Sequence, residues 1–220
     1  MEETQKKLEL ITSCFSDFTP VQLQQFGQLE ELYNEWNSKI NVISRKDMDG
    51  LYEKHILHSL SIAALFNFPS GTQVIDIGTG GGFPGIPLAV FFPEARFHLV
   101  DSIGKKIKVV EAVAHALDLK NVTTQHGRAE EISNRKFNVA VSRAVAPLGE
   151  LWKWSKPLLN KPLNKPDDPF EEPHGLICLK GGDLSNEIAE SGTRPRMIEI
   201  HEVFAREYFR EKYMLFVERV

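Results

Sequence analysis

From Thr19 onward apolar residues recur at three- and four-residue steps, at Leu23, Phe26, Leu29, Tyr33, Trp36 and Ile40, the repeat of one face of an α-helix. Thr19 followed by Pro20 offers an N-cap and a proline at the first helical position, where a missing N–H costs nothing. An aromatic stripe at helical spacing reads as core rather than as a partner-binding face. A second helix is expected over about residues 49 to 65, carrying His55 and His58, before Pro69-Ser70-Gly71 breaks the chain. Residues 1–70 thus read as a helical cap, and 71–220 as the main domain, a single compact unit.

After the break the period changes. Runs rich in apolar and β-branched residues at 73–77, 97–101, 122–125, 137–142 and 175–180 alternate with helical stretches from about Gly85, over 104–117 and over 147–154. Such runs suit strands covered on both faces, and their alternation with helices implies right-handed crossovers and a parallel sheet. Two later strand-like runs, 197–204 and 213–220, flank a charged stretch and should close the sheet as an antiparallel pair. Prolines 162, 166, 169 and 173 between Leu159 and His174 predict a structureless surface loop. The fold class expected is α/β, a mostly parallel Rossmann-like sheet with an N-terminal helical cap and a C-terminal antiparallel pair.

With 42% hydrophobic and 25% charged residues among 220, the chain has the balance of a globular protein with one main core. A net charge of −4 argues against a protein that coats nucleic acid, while leaving room for a local basic face. No apolar run approaches membrane-spanning length and the start lacks a basic-then-apolar leader, so no membrane partner and a cytoplasmic location are expected. Cys14 and Cys178 have neither C-x-x-C nor metal-ligand spacing, which predicts no disulfide and no metal site. A monomer is the default.

The densest chemistry lies in Val74-Ile75-Asp76-Ile77-Gly78-Thr79-Gly80-Gly81-Gly82-Phe83-Pro84-Gly85, a buried strand running into a glycine loop. Gly80, Gly82 and Gly85 also satisfy the dinucleotide pattern G-x-G-x-x-G. A carboxylate at the strand end, Asp76, would repel a pyrophosphate seated on the following helix. The ammonium and sulfonium of S-adenosylmethionine would instead be attracted to it, which favours that ligand. Asp101 closes the next strand at the spacing of a ribose-binding acid; its alternative is an acid at the start of the helix from Gly104. In an open α/β sheet Asp76, Asp101, Ser142-Arg143 and Lys180 all fall on the rim formed by strand carboxyl ends.

Seven segments in order, Asn41-Val-Ile-Ser44, His55-Ile-Leu-His-Ser59, Asp76 to Gly85, Asp101-Ser-Ile-Gly-Lys-Lys106, Arg128-Ala-Glu130, Ser142-Arg-Ala144 and Leu179-Lys-Gly-Gly182, resemble the bacterial small-subunit ribosomal RNA 7-methylguanosine methyltransferases, also called glucose-inhibited division protein B. The resemblance spans roughly residues 20 to 220. It implies a class I methyltransferase fold and S-adenosylmethionine as methyl donor, with S-adenosylhomocysteine as product. It further implies a guanine in the decoding-region loop of 16S rRNA as acceptor, with 16S rRNA or the 30S particle as partner. Carried over by position, it sets the cofactor against Gly78, Phe83, Ala129, Glu130 and Arg143, beside Asp76, Gly80, Gly82 and Asp101. On the residues alone Glu130 would read as a solvated acidic turn, and Arg143 as either a rim salt-bridge partner or a site residue gripping the cofactor or an RNA phosphate.

Nitrogen 7 of guanine carries a lone pair and no proton, so transfer needs alignment rather than a base. No catalytic residue is therefore assigned; His55, Arg143 and Lys180 are the candidates for positioning. Arg45, Lys105, Lys106 and Lys180 are the leading RNA contacts, the lysine pair because it opens a helix against the dipole. Trp152 or Trp154 beside Lys153 could stack bases, with core packing as the alternative. His58 departs from the acid usual in the family at that position. The competing readings are a class I methyltransferase with another RNA or small-molecule acceptor, a non-catalytic RNA- or nucleotide-binding module, and an NAD-dependent enzyme. Against an amide or exocyclic-amine acceptor, Ser142-Arg-Ala-Val stands where Asn-Pro-Pro-Tyr would be found.

Overall fold

A computed structural model describes residues 2–162 and 168–219, without the side chains of residues 2–4, Arg45 and Lys46. Two helices come first, α1 (Glu2–Thr12), which the pattern did not predict, and α2 (Pro20–Lys39). Thr19 caps α2 in a reciprocal box: its hydroxyl accepts from the Gln22 N–H at 3.2 Å, and the Gln22 side chain accepts from the Thr19 N–H at 2.9 Å. Phe26, Leu29 and Tyr33 are the fully buried part of the stripe. The second expected helix is irregular. It begins as a 3₁₀ segment (Arg45–Gly50), widens to a π-helix (Leu51–Leu57) and ends in one α-turn, α3 (His58–Leu60). Widened helical turns of this kind gather at functional sites. Here the widening buries Leu51, Tyr52, Ile56 and Leu57 together, and the Ser59 hydroxyl bonds back to the His55 carbonyl at 2.6 Å.

The sheet has seven strands: β1 (Gln73–Ile77), β2 (Arg96–Asp101), β3 (Val122–His126), β4 (Val139–Arg143), β5 (Gly175–Gly181), β6 (Arg196–Glu199) and β7 (Lys212–Glu218). Their order is β3-β2-β1-β4-β5-β7-β6, with β7 antiparallel to both neighbours and every other pairing parallel. Helices α4 (Gly85–Phe91), α5 (Gly104–Ala116) and α6 (Leu148–Ser155) connect the parallel strands; α7 (Ser185–Glu190) and α8 (Ile200–Val203) lie near the far edge. Residues 200–203, expected as strand, are thus helical, because β6 pairs with β7 only from Arg196 to Glu199.

β1 lies between β2 and β4, so the build reverses direction there and opens a crevice above the carboxyl ends of β1 and β4. One apolar cluster runs from Ile11, Phe26 and Tyr33 of the first helices to Val139, Phe209 and Phe216, so the helical segment and one face of the sheet share a core. The proline-rich stretch is packed rather than loose where it is described. The Asn67 N–H donates to the Phe170 carbonyl at 2.8 Å, and the Phe170 ring lies 4.9 Å from that of Phe66; Pro166 falls outside the described residues. Among the described residues, no helix is long and apolar enough to cross a membrane.

Candidate active site

Above the β1–β4 crevice the glycine loop encloses a cavity of about 420 Å³. Gly78 and Thr79 both donate to the Val100 carbonyl of β2, at 2.9 and 3.0 Å, and Gly80 donates to the Asp101 carboxylate at 2.9 Å. Gly78, Gly80 and Gly82 hold φ of 68°, 59° and 100°, the left-handed region that side chains disfavour. A Cβ at Gly80 would meet no atom within 4 Å, so the loop leaves open space on the cavity side there. Asp101 stands on the wall, as do Gly78, Phe83, Ala129, Glu130 and Arg143. Trp154 also reaches this cavity from α6, while Trp152 lies beside Lys156, whose ammonium is 5.8 Å from its ring centre. Val42 and Val145, which the sequence singles out only as parts of the segments Asn41-Val-Ile-Ser44 and Ser142-Arg-Ala-Val, also line the wall.

Two expected cofactor residues lie elsewhere. Asp76 is fully buried behind the loop, and its Oδ2 accepts from the Thr79 hydroxyl at 2.6 Å and from the Gly85 N–H at 2.9 Å. Its Oδ1 has no partner, and burial pushes the carboxyl up to about 7. The expected attraction to a cofactor gives way to bracing of the turn, because the side chain leaves the strand beneath the loop. Gly82 is likewise off the wall: a Cβ there would stand 2.7 Å from Ile86 and 3.1 Å from the Tyr33 hydroxyl.

The protonation of Asp76 gives a test. Its carboxyl rises from 3.8 in the unfolded chain to about 7 when folded, so its stabilising contribution is full below the lower value and lost as pH rises through the upper one. Asp76→Asn removes that loss. The variant should gain roughly 4 kcal/mol of stability relative to the parent between about pH 4 and 8, read from urea melts at both ends. A difference that does not vary with pH would place the unfavourable charge elsewhere.

Arg143 ends β4 and is followed by Ala144, whose φ of 52° costs a non-glycine residue about 1 kcal/mol and turns the chain sharply. One guanidinium nitrogen lies 2.9 Å from His55 Nδ1, another donates to the Lys54 carbonyl at 3.4 Å, and its carbon sits 5.1 Å from the Phe83 ring centre. A guanidinium only donates, so His55 Nδ1 accepts and the ring proton is on Nε2. Burial first, then the Arg143 charge, holds His55 down at about 4, which makes it neutral. His58 is buried with Nε2 unpartnered and is held well below the usual imidazole range, chiefly by burial. It packs edge-on against Tyr208.

Lys180 does not offer a free charge to RNA. Its ammonium is held by the Ala146 carbonyl and by Glu187 at 2.7 Å, and Glu187 also accepts the Leu148 N–H at 2.7 Å. The group ties the Ala144–Pro147 bend to β5 and α7. Lys105 and Lys106 stand beside Lys39, Asn41 and Lys108 in an open recess that shares Ile103 and Lys106 with the first cavity. The Arg45 side chain lies outside the description. A second cavity, of about 240 Å³, lies across Arg143 and Ala144 from the first, and both residues line the two.

Residues 22–207 match the family described as GidB, rRNA small subunit methyltransferase G. The chain belongs to this family. Similar proteins named ribosomal RNA small subunit methyltransferase G occur in Phocaeicola vulgatus, 50% identical over 96% of this chain and 98% of the relative, and in Cytophaga hutchinsonii, 46% identical over 96% and 99%. Among solved structures, MtNAS in complex with MTA and tNA aligns over 91% of this chain and 74% of its own at 15% identity and a TM-score of 0.59. A geranyl diphosphate methyltransferase with GPP and sinefungin aligns over 92% and 100% at 14% identity and 0.54. These likenesses show the fold, that of the class I methyltransferases. For a GidB chain the donor set of the first cavity suits S-adenosylmethionine: the backbone at Gly80 leaves room for close approach, and Asp101 keeps acceptor capacity beyond the Gly80 and Ile103 N–H groups it already holds.

Proposed function

We propose that this chain transfers the methyl group of S-adenosylmethionine to nitrogen 7 of a guanine in 16S rRNA of the small ribosomal subunit, in the bacterial cytoplasm. The observation that carries the reading, given the family, is that a nucleotide-sized cavity over the glycine loop and a smaller one meet at Arg143 and Ala144. A donor methyl held in the first and an acceptor base held in the second would face each other there. S-adenosylmethionine supplies a methyl on a positively charged sulfur. The nitrogen 7 lone pair forms the new bond to carbon as the carbon–sulfur pair returns to sulfur, so no proton is removed and no general base is required.

The residues then act by holding. Gly78, Gly80 and Phe83 shape the donor site, with Asp101 toward a ribose and Ala129-Glu130 on the adenine side. Arg143, fixed by His55 and the Lys54 carbonyl, stands between the two sites. Lys105 and Lys106, in the recess that opens onto the donor site, are the contacts for the RNA backbone. Mass-spectrometric mapping of 16S rRNA from cells lacking this protein should show loss of 7-methylguanosine at one position, restored by the gene in trans. Unchanged modification would remove the function.

A further inference from the structure

The second cavity has walls of unequal chemistry. Arg143, Lys212 and the His55 ring bring donors, whereas Asp47 is the one carboxylate among the described residues lining it. Asp47 spends Oδ1 on the Lys54 ammonium at 2.9 Å, and among the described residues Oδ2 makes no hydrogen bond. The hydrogen bond from Lys54 is the largest cause holding the Asp47 carboxyl below the usual range, and the positive charges of Lys54 and Arg143 act in the same direction. The Tyr208 ring stands at the same cavity, with the Lys212 ammonium 4.5 Å from its centre.

Guanine is an asymmetric ligand. Oxygen 6 and nitrogen 7 form an accepting edge, while N1–H and the 2-amino group form a donating one. Adenine offers an amino donor in place of oxygen 6 and a bare lone pair in place of N1–H, so a carboxylate beside its N1 repels it. A cavity in which the Arg143 guanidinium stands on the wall shared with the cofactor cavity, and the Asp47 carboxylate lines the acceptor cavity alone, matches guanine in one orientation. Resting on the proposed methyl transfer to guanine, we infer that Asp47 is the guanine-specifying residue: its carboxylate accepts from N1–H and the 2-amino group, while Arg143 donates to oxygen 6 and leaves nitrogen 7 facing the cofactor cavity.

The same contact favours the reaction. Methyl transfer leaves positive charge on the purine, which strengthens N1–H and the amino group as donors, so the bonds to Asp47 tighten as the transition state forms. Loss of Asp47 should therefore lower the rate of transfer itself as well as RNA affinity.

Small-subunit particles rebuilt with guanosine or inosine at the acceptor position separate these contributions, because inosine lacks only the 2-amino group. In single-turnover methylation the wild-type rate should fall about 10- to 100-fold on passing to inosine. Asp47→Ala should lose a similar factor with guanosine and show little further loss with inosine, while binding S-adenosylmethionine with unchanged affinity by calorimetry. Lys54→Met, which removes the ion pair and keeps the carboxylate, should preserve the guanosine-to-inosine ratio. An Asp47→Ala ratio equal to that of the wild type would overturn the assignment while leaving the methyl transfer standing. So would a Lys54→Met ratio reduced as far as that of Asp47→Ala. Wild-type protein that methylates neither particle would overturn the function and the assignment together.

Discussion

Arg143→Met should lower single-turnover methylation of the ribosomal substrate about 100-fold, the scale set by losing one orienting contact at a reacting centre. Methionine keeps most of the hydrocarbon packing against Phe83 but removes every donor, so His55 Nδ1 loses its partner and the wall between the cavities loses its charge. The folded state should survive. Burial lowers the Arg143 pKa, a sign that the guanidinium is held there against its own desolvation, and a neutral side chain relieves that penalty. The thermal midpoint should accordingly move by only a few degrees, and calorimetric affinity for S-adenosylmethionine should drop less than about tenfold. A cofactor affinity reduced as far as the rate would make Arg143 a donor-site residue instead.

Gly85→Ala and Gly80→Ala should fail in opposite ways, although both change one glycine of the same loop. A Cβ at Gly85 would stand 2.7 Å from Asp76 Oδ2 and 2.7 Å from Leu99 Cγ, deep in the core, where nothing flexible can give way. That variant should lose about 3 kcal/mol of stability in urea melts, with cofactor affinity falling as a consequence of the loosened turn. At Gly80 a Cβ meets nothing, and its φ of 59° costs about 1 kcal/mol. Its methyl group points into space that the cofactor should fill, so S-adenosylmethionine binding should weaken on the order of 10- to 100-fold in a protein that still melts cooperatively. If Gly80→Ala bound the cofactor normally, the ligand would have to approach the loop from another side.

Much of this architecture is legible in the chain because its physics is local. Four of the five parallel strands, β1, β2, β4 and β5, are buried on both faces and separated by helical stretches, so their apolar runs stand out, whereas β3 at the sheet edge has no buried residue. The capping box of α2 can be read from Thr19 and Gln22 alone. The placement of β7 between β5 and β6 cannot be read that way, because it depends on which edges meet rather than on either strand's pattern. The π-helix is hidden for a related reason: its widened turns still bury Leu51, Tyr52, Ile56 and Leu57, so the hydrophobic spacing resembles that of an ordinary helix.

At the site, position along a strand located the rim but not the direction of each side chain. Asp101 and Arg143 turn toward the cavity, whereas Asp76 turns beneath the loop and Lys180 turns to Glu187. Asp47 does not stand out in the sequence because it sits in a short charged run, Arg45-Lys-Asp47, whose basic residues draw the reading toward an RNA contact. Only the 3₁₀ segment and the helix after it bring that run back against β4.

The antiparallel strand has a consequence for how the protein is made. β5 contributes Leu176, Ile177, Cys178 and Leu179 to the core, and one of its edges is covered only by β7, some thirty residues further along the chain. During synthesis at roughly 5–20 residues per second that greasy edge waits, unpaired, for a second or more before its cover emerges. An exposed apolar edge of this sort is a template for sticking to other nascent chains. The newborn protein should be a client of chaperones that bind at the tunnel exit until residues 212–218 arrive.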